Sequence, residues 1–371
     1  MSLKIGITGA DGLVGWHLRA WLRAYRPQAE VRLATRATFA DVSRLAEFTA
    51  GIDAIVHCAG KNRGDDAEIK ATNVDLAIQL SNACESSTKA SGRYPHVVFT
   101  NSTHVARETA YGVGKRAAAE ILAATAARHG SPFTNLILPH VFGEFGKPFY
   151  NSVVSTFCHQ LAAGERPKVL ADGDLELLHT QVAAARFVAA IEGRESGEFR
   201  VFGVPLKVSA LLAKLNAMAE LYIGHGSVPD LRDTLDLPLF NTLRSYRSPQ
   251  QLQIALAADQ PYDDLTNRLI QTGGRTETLA IASGAGRGDY FSTEMFERIN
   301  VVSGEATIRL RRLFSDEIHT VHALGTIPSC IDIPTFHTYR ITNPGCRELV
   351  VLKSVGPRDP SHYATFTEAV L

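Results

Sequence analysis

The sequence predicts a doubly wound parallel α/β sheet followed by a smaller all-β domain. Three observations carry that expectation. A glycine array stands directly behind the first apolar strand, short apolar runs alternate with longer helical stretches as far as about Leu243, and close-set short strands take over from about Thr276. The chain has 371 residues, enough for about two domains at roughly 150 residues each. The division is expected at residues 1–250 and 251–371, with the join inside 244–261.

In order, Lys4–Thr8 reads as a strand and Leu13–Ala24 as a helix with Leu13, Leu18 and Leu22 among its apolar positions. Val31–Ala34, Ala54–Cys58, His96–Thr100 and Thr134–Leu138 are further strand candidates, with helices expected at Asn73–Ser86 and Tyr111–His129. Strand and helix in alternation imply a parallel sheet covered on both faces. Beyond the join, Leu279–Ser283, Ile299–Ser303, Thr307–Arg311, Glu317–His322, Ile331–Ile333 and Glu348–Lys353 are separated by Gly, Pro, Asn and Ser. That spacing suits a small barrel or sandwich.

Composition removes several function classes. Hydrophobic residues make up 45%, which argues against a disordered chain. Lys plus Arg equals Asp plus Glu at 38 each, so no basic excess points to nucleic acid. No run approaches about 18 apolar residues, so a membrane span is not expected. The opening MSLKIGITGADG lacks the basic and apolar regions of a signal peptide. Five widely spaced cysteines without a C-x-x-C suit a reducing, cytoplasmic compartment better than a disulfide framework.

Gly9, Gly12 and Gly15 form G-x-x-G-x-x-G at a strand-to-helix turn, the place where a Rossmann-type fold sets a pyrophosphate against a helix N-terminus. The second strand ends in Thr35 and Arg36, with no acid to hold ribose hydroxyls; a guanidinium there suits a 2′-phosphate, which favours NADP(H) over NAD(H). Ala59 and Gly60 are small enough to let a later strand end approach the cofactor. Tyr111 and Lys115 are spaced Y-x-x-x-K, one turn apart on a helix face. A phenol with a pKa near about 10 is a poor acid–base group at neutral pH unless a cation stabilises its phenolate. Ser102 or Thr103 offers a hydroxyl for a substrate oxygen.

Together these residues resemble the extended short-chain dehydrogenase/reductases. The resemblance implies that Tyr111 exchanges the proton, that Lys115 lowers its pKa and contacts the nicotinamide ribose, and that Ser102 orients the carbonyl, with Thr103 as second choice. Asn73 resembles the asparagine this family places near a helix start; a plain helix cap is the alternative. The segment LPHVFGEFGKPFYNSVVSTFCHQLAAGE is similar to the bifunctional enzymes of capsular-polysaccharide synthesis that make UDP-N-acetyl-L-fucosamine. That similarity implies an NADPH-dependent reductase of a 4-keto-6-deoxy nucleotide sugar joined to a cupin (jelly-roll) barrel. It also implies that Pro139, His140, Tyr150 and Asn151 lie near cofactor or substrate, Pro139 by the cofactor and the other three, with Thr103, by the substrate.

In that family the barrel holds a metal through two histidines and a glutamate on one strand region and a later histidine. Aligning the V-V-S-G and I-P turns puts Tyr290 and Ser292 at the first two histidine positions, keeps Glu297, and puts Tyr339 at the last, with His337 two residues earlier. His319, His322 and His362 do not restore the spacing. A site without metal is therefore expected. The barrel is read as a dimer-forming structural module, or as a metal-free acid–base site using Tyr290, His337 and Tyr339. Rival readings of the whole chain are a nucleotide-sugar epimerase with retained NAD(P) and a non-catalytic NADP(H)-binding scaffold or sensor. Dehydration is disfavoured because Thr103 and His104 follow Ser102 where dehydratases carry an acidic pair.

Overall fold

The computed structural model describes residues 2–255, 274–327, 329–356 and 365–370. The chain divides into two compact units, Met1–Phe142 with Leu175–Pro205, and Gly143–Asp174 with Leu206–Leu371. Part of the expected join and His362 lie outside the described residues.

In the first unit, strands β1 (Lys4–Thr8), β2 (Glu30–Ala34), β3 (Ala54–His57), β4 (His96–Ser102) and β5 (Phe133–Leu138) join Gly197–Arg200 in a parallel sheet of order β2-β1-β3-β4-β5-(197–200). Alternate residues point to opposite faces, so Val56 and Val98 enter one apolar cluster while Ile55 and Val97 enter another. Helix α1 (Leu13–Tyr25) covers the first face through Leu18 and Leu22. Helices Asp66–Ser91 and Ala110–Arg128 cover the second through Leu80 and Leu122. Because the chain passes from β1 to β2 and then back across β1 to β3, the order reverses at β1. The crevice beyond the carboxyl ends of β1 and β3 is where such sheets bind ligands.

One helix differs from expectation. It starts at Asp66 rather than Asn73, because the Asp65 side chain accepts from the N–H groups of Ala67 and Glu68 and fixes the start two turns earlier.

In the second unit, two antiparallel sheets follow a helical region. One has the order 253–255, 329–333, 296–303, 349–356, 275–281; the other has the order 318–324, 305–312, 337–342, 286–291, 366–367. Their facing sides share one apolar cluster that includes Ile299, Ile308, Ile331, Ile341 and Val351. This is a cupin-like all-β arrangement. Four of its strands, Gln253–Ala255, Gly286–Phe291, His337–Thr342 and Phe366–Thr367, are absent from the sequence expectation. The helical region is tied to the barrel by Arg298, wholly buried, which pairs with Asp332 at 2.5 and 2.8 Å and donates to the Gly226 carbonyl; Tyr222 donates to Asp332.

Candidate active site

Gly9, Thr35, Ala59, Ser102 and Pro139 fall at or just beyond the carboxyl ends of β1 to β5. Gly9 leaves β1 with φ 65°, a conformation costly for any residue with a side chain, and a Cβ there would lie 2.8 Å from the Ala59 nitrogen. A Cβ on Gly15 would collide with the Gly9 carbonyl, so that glycine serves the packing of α1 on the turn. Gly12 is different. Its Cβ would meet the Gly9 oxygen at 3.3 Å and nothing else within 4 Å among the described residues. Gly12 is also the N-cap of α1 and provides no side-chain cap, so the first-turn N–H groups keep their capacity for an anion. This cradle fits a dinucleotide pyrophosphate.

Thr35 and Thr38 form a capping box that starts the short helix Arg36–Phe39. The Arg36 side chain is exposed at the end of β2 and has no hydrogen bond or ion pair among the described residues. Ala59 donates its N–H to Thr8 Oγ1 at 3.1 Å, and Thr8 Oγ1 lies 2.7 Å from His57 Nδ1. His57 is fully buried and stacks on Phe99; burial first, and the nearby Lys115 charge second, push its pKa down to about 3. A neutral imidazole thus braces β1 against β3 beside the glycine turn. Asn73 is no helix cap. Buried inside its helix, it donates to the carbonyls of Lys61 (2.7 Å) and Ile69 (2.8 Å) and accepts from the Lys61 N–H, holding the Ala59–Gly60–Lys61 turn. A Cβ on Gly60 would lie 2.7 Å from Asn73 Oδ1.

Ser102 ends β4 and accepts from the His104 N–H at 3.3 Å; Thr103 begins the following turn. Thr109 caps helix Ala110–Arg128, which carries half-buried Tyr111 and buried Lys115 one turn apart. Burial raises the Tyr111 hydroxyl above its usual range. Burial also brings Lys115 down to about 7, with the Cys58 thiol opposing the shift. The Lys115 ammonium donates to the Thr100 carbonyl at 2.6 Å and lies 3.9 Å from the Phe99 ring centroid. Desolvation of the phenolate is the dominant cause at Tyr111. The His104 ring sits edge-on to Tyr111 at 6.2 Å. Burial, and secondarily His104, lower the pKa of His140, so both imidazoles belong to this neighbourhood. Pro139 is buried and directly follows β5. Tyr150 and Asn151 belong to the second unit, where both are exposed and Lys147 Nζ lies 5.2 Å from the Tyr150 ring centroid.

In the barrel, the aligned metal positions have other duties. Ser292 Oγ accepts from the N–H groups of Glu294 and Met295, capping a turn. His337 bonds the Thr335 carbonyl and packs on Phe145, and burial takes its pKa down to about 4. Tyr339 donates to Glu297 at 2.7 Å, with the Tyr290 ring edge-on to it at 5.2 Å. No group of three or more His, Cys, Asp or Glu side chains among the described residues is placed to hold a metal ion. The donor set does not fit a zinc-type site, which takes about three or four such ligands. Among the described residues no helix is long and apolar enough to cross a membrane.

An alternating parallel sheet with a glycine cradle and a Ser/Tyr/Lys set defines a nucleotide-cofactor enzyme, and the comparisons with known proteins agree. Residues 5–202 match the NAD dependent epimerase/dehydratase family, and residues 267–355 match the polysaccharide biosynthesis C-terminal domain. The chain belongs to the NAD dependent epimerase/dehydratase family and is an NAD(P)-dependent oxidoreductase of the short-chain type. It is 26% identical over 94% of both chains to UDP-2-acetamido-2,6-beta-L-arabino-hexul-4-ose reductase of Pseudomonas aeruginosa. In fold it is similar to the capsular polysaccharide assembling protein CapF of Staphylococcus aureus (24% identity, TM-score 0.58, 99% of each chain). RMD from Pseudomonas aeruginosa complexed with NADPH matches 66% of this chain and 98% of its own, at 18% identity and TM-score 0.55.

Proposed function

We propose that the protein reduces the carbonyl of a 4-keto-6-deoxy nucleotide sugar with NADPH, in the cytoplasm, within a polysaccharide or secondary-metabolite pathway. The observation that carries this reading is Lys115 held on the Thr100 carbonyl of β4, one helical turn from Tyr111, with Ser102 ending that strand. The likeness to a nucleotide-sugar reductase along 94% of the chain supports it.

In this reading the first turn of α1 holds the pyrophosphate, and Gly12 lets it approach. Arg36 pairs with the 2′-phosphate, and Ala59, Gly60 and Pro139 line the cofactor. NADPH, when bound, supplies the hydride that adds to the carbonyl carbon. Ser102 donates a hydrogen bond to the carbonyl oxygen, with Thr103 and His140 beside it. Tyr111 gives its proton to that oxygen as charge develops there. A phenol raised by burial keeps its proton until then. Lys115, fixed by the Thr100 carbonyl, has two further N–H donors for the ribose and supplies the charge that stabilises the phenolate left behind. Tyr150 and Asn151 are assigned to substrate contacts. The barrel is assigned a metal-free, dimer-forming role, which light scattering on the full chain checks directly.

NADPH oxidation should be screened against 4-keto nucleotide sugars, with product analysis by NMR. Turnover that yields the 4-hydroxy sugar and stoichiometric NADP⁺ supports the reading. Sugar isomerised with no net loss of NADPH would turn it into an epimerase with retained cofactor. Binding of NADPH with no turnover of any of these sugars would favour the scaffold.

A further inference from the structure

The metal-free reading of the barrel raises a physical question: what balances Glu297? This carboxylate is 1% exposed, on the inward face of strand 296–303, among Ile299, Val301 and the apolar cluster between the two sheets. An isolated charge in such a place is not stable in its ionised form.

The sheet register supplies the answer. On strand 349–356, Lys353 pairs with Ile299, which puts it on the same face as Glu297 and diagonal to it. Its ammonium lies 3.0 Å from Glu297 Oε2, and its side chain is 7% exposed. On the other side, Glu277 stands directly opposite Lys353 in the ladder, with Oε1 at 4.0 Å and a side chain 37% exposed. Strand 337–342 contributes Tyr339, whose hydroxyl reaches the same Glu297 oxygen. The ammonium lies 5.0 and 5.8 Å from the ring centroids of Tyr290 and Tyr339, so it is flanked by π faces as well as by the carboxylate. Tyr290, Glu297 and Tyr339 are three of the four positions that the sequence alignment assigns to metal ligands. They do converge, but on a lysine.

We infer that Lys353 is the built-in cation of the barrel, supplying from within the chain the positive charge that a metal would otherwise place against Glu297. The two tyrosines that replace histidines complete the cluster: one hydroxyl donates to the carboxylate, and both rings face the ammonium. The barrel core is thereby charge-balanced by covalently attached groups. Its stability should then be independent of divalent cations and dependent on Lys353.

This inference rests on the metal-free reading, and the experiment separates the two. Elemental analysis and scanning calorimetry are run on the full chain, purified without chelator, as wild type, Lys353→Met, and Lys353→Met with Glu297→Gln. Calorimetry is the suitable probe because both tryptophans, Trp16 and Trp21, lie in the other unit. The expected result is sub-stoichiometric metal and a wild-type Tm that neither EDTA nor added Zn²⁺ moves. Lys353→Met should lower the barrel transition by on the order of 10 °C, since removing one partner strands a buried charge. The double variant should recover most of that loss because the fully buried charge is gone and Glu277 is left partly exposed to water. Stoichiometric metal with an EDTA-sensitive Tm overturns both readings. Low metal content with an unchanged transition in Lys353→Met overturns the role of Lys353 alone. If Lys353→Met does not accumulate as folded protein, the double variant decides: recovery of the fold supports the inference, and a double variant that is equally unfolded overturns it.

Discussion

At the crevice of the α/β unit, the first turn of α1 has no side-chain cap and Arg36 has no partner among the described residues, while in the barrel Tyr339 and Lys353 both converge on Glu297. Both places gather polar groups that a sequence alignment marks as functional. They differ in where the second half of each interaction comes from. The crevice keeps donors that no other described residue satisfies, and its own hydrogen bonds (Thr8 to His57, Asn73 to Lys61) act behind the surface that the ligand would touch. The barrel satisfies its buried charge internally. Open donors with a rigid brace behind them mark a site built to receive an anion; a closed network marks one whose charge is already answered.

The harshest way to break this contrast is Tyr111→Phe. If the crevice is the reaction centre, removing one hydroxyl should lower the reduction rate by about 10²–10⁴ while NADPH affinity stays within a few-fold. Steady-state rates and a fluorescence titration of NADPH check both halves. Normal turnover in this variant would move the chemistry elsewhere, the barrel included.

Arg36→Ala is the next test, because it removes an open donor without touching the brace. Loss of a charge-assisted phosphate contact should cost about 1.5–3 kcal/mol of NADPH affinity and leave NADH affinity nearly unchanged. Equal binding of the two cofactors by the wild type would remove the 2′-phosphate from the account.

A smaller effect comes from pH. Burial sets Lys115 at about 7, so the folded protein loses that proton at a pH where the unfolded chain still holds it. The unfolded state therefore binds more protons between about 7 and the ordinary lysine value of 10.5, and this residue's contribution to stability rises with pH across that window. Affinity for the anionic cofactor should run the other way, weakening as pH rises through about 7 when the cation is lost. Titrations at pH 6 and pH 8 in wild type and Lys115→Met check the sign; a pH dependence that survives in the variant assigns it to another group.

How far the sequence could be read follows the same divide. The crevice was legible because its signals are local: a strand, a glycine turn and a helix within about a dozen residues, then Y-x-x-x-K within one helical turn. Thr8, His57 and Asn73 were harder, since their roles depend on contacts between elements far apart in the chain. In the barrel, the strand Gly286–Phe291 carries no periodic signal because GRGDYF has no alternation, and Asp289 sits at φ 63° where the register shifts. The strand His337–Thr342 follows closely on the I-P turn, whose breaker residue masks its start. Lys353 was invisible for a different reason. A lysine in VVLKS reads as a solvent-facing residue, and only the register against Ile299 and Glu277 turns it inward.

The central claim, that the crevice transfers a hydride outward to a sugar carbonyl, is tested most directly with NADPH deuterated at the transferable position of its nicotinamide C4. The full-length protein is allowed a single turnover with a 4-keto-6-deoxy nucleotide sugar, and the sugar is read by NMR. The account predicts one deuterium at C4 of the product, one NADP⁺ formed per sugar, and neither from Tyr111→Phe in the time the wild type takes to complete that turnover. A sugar that is inverted or isomerised without deuterium, with the label still in the cofactor, would contradict it.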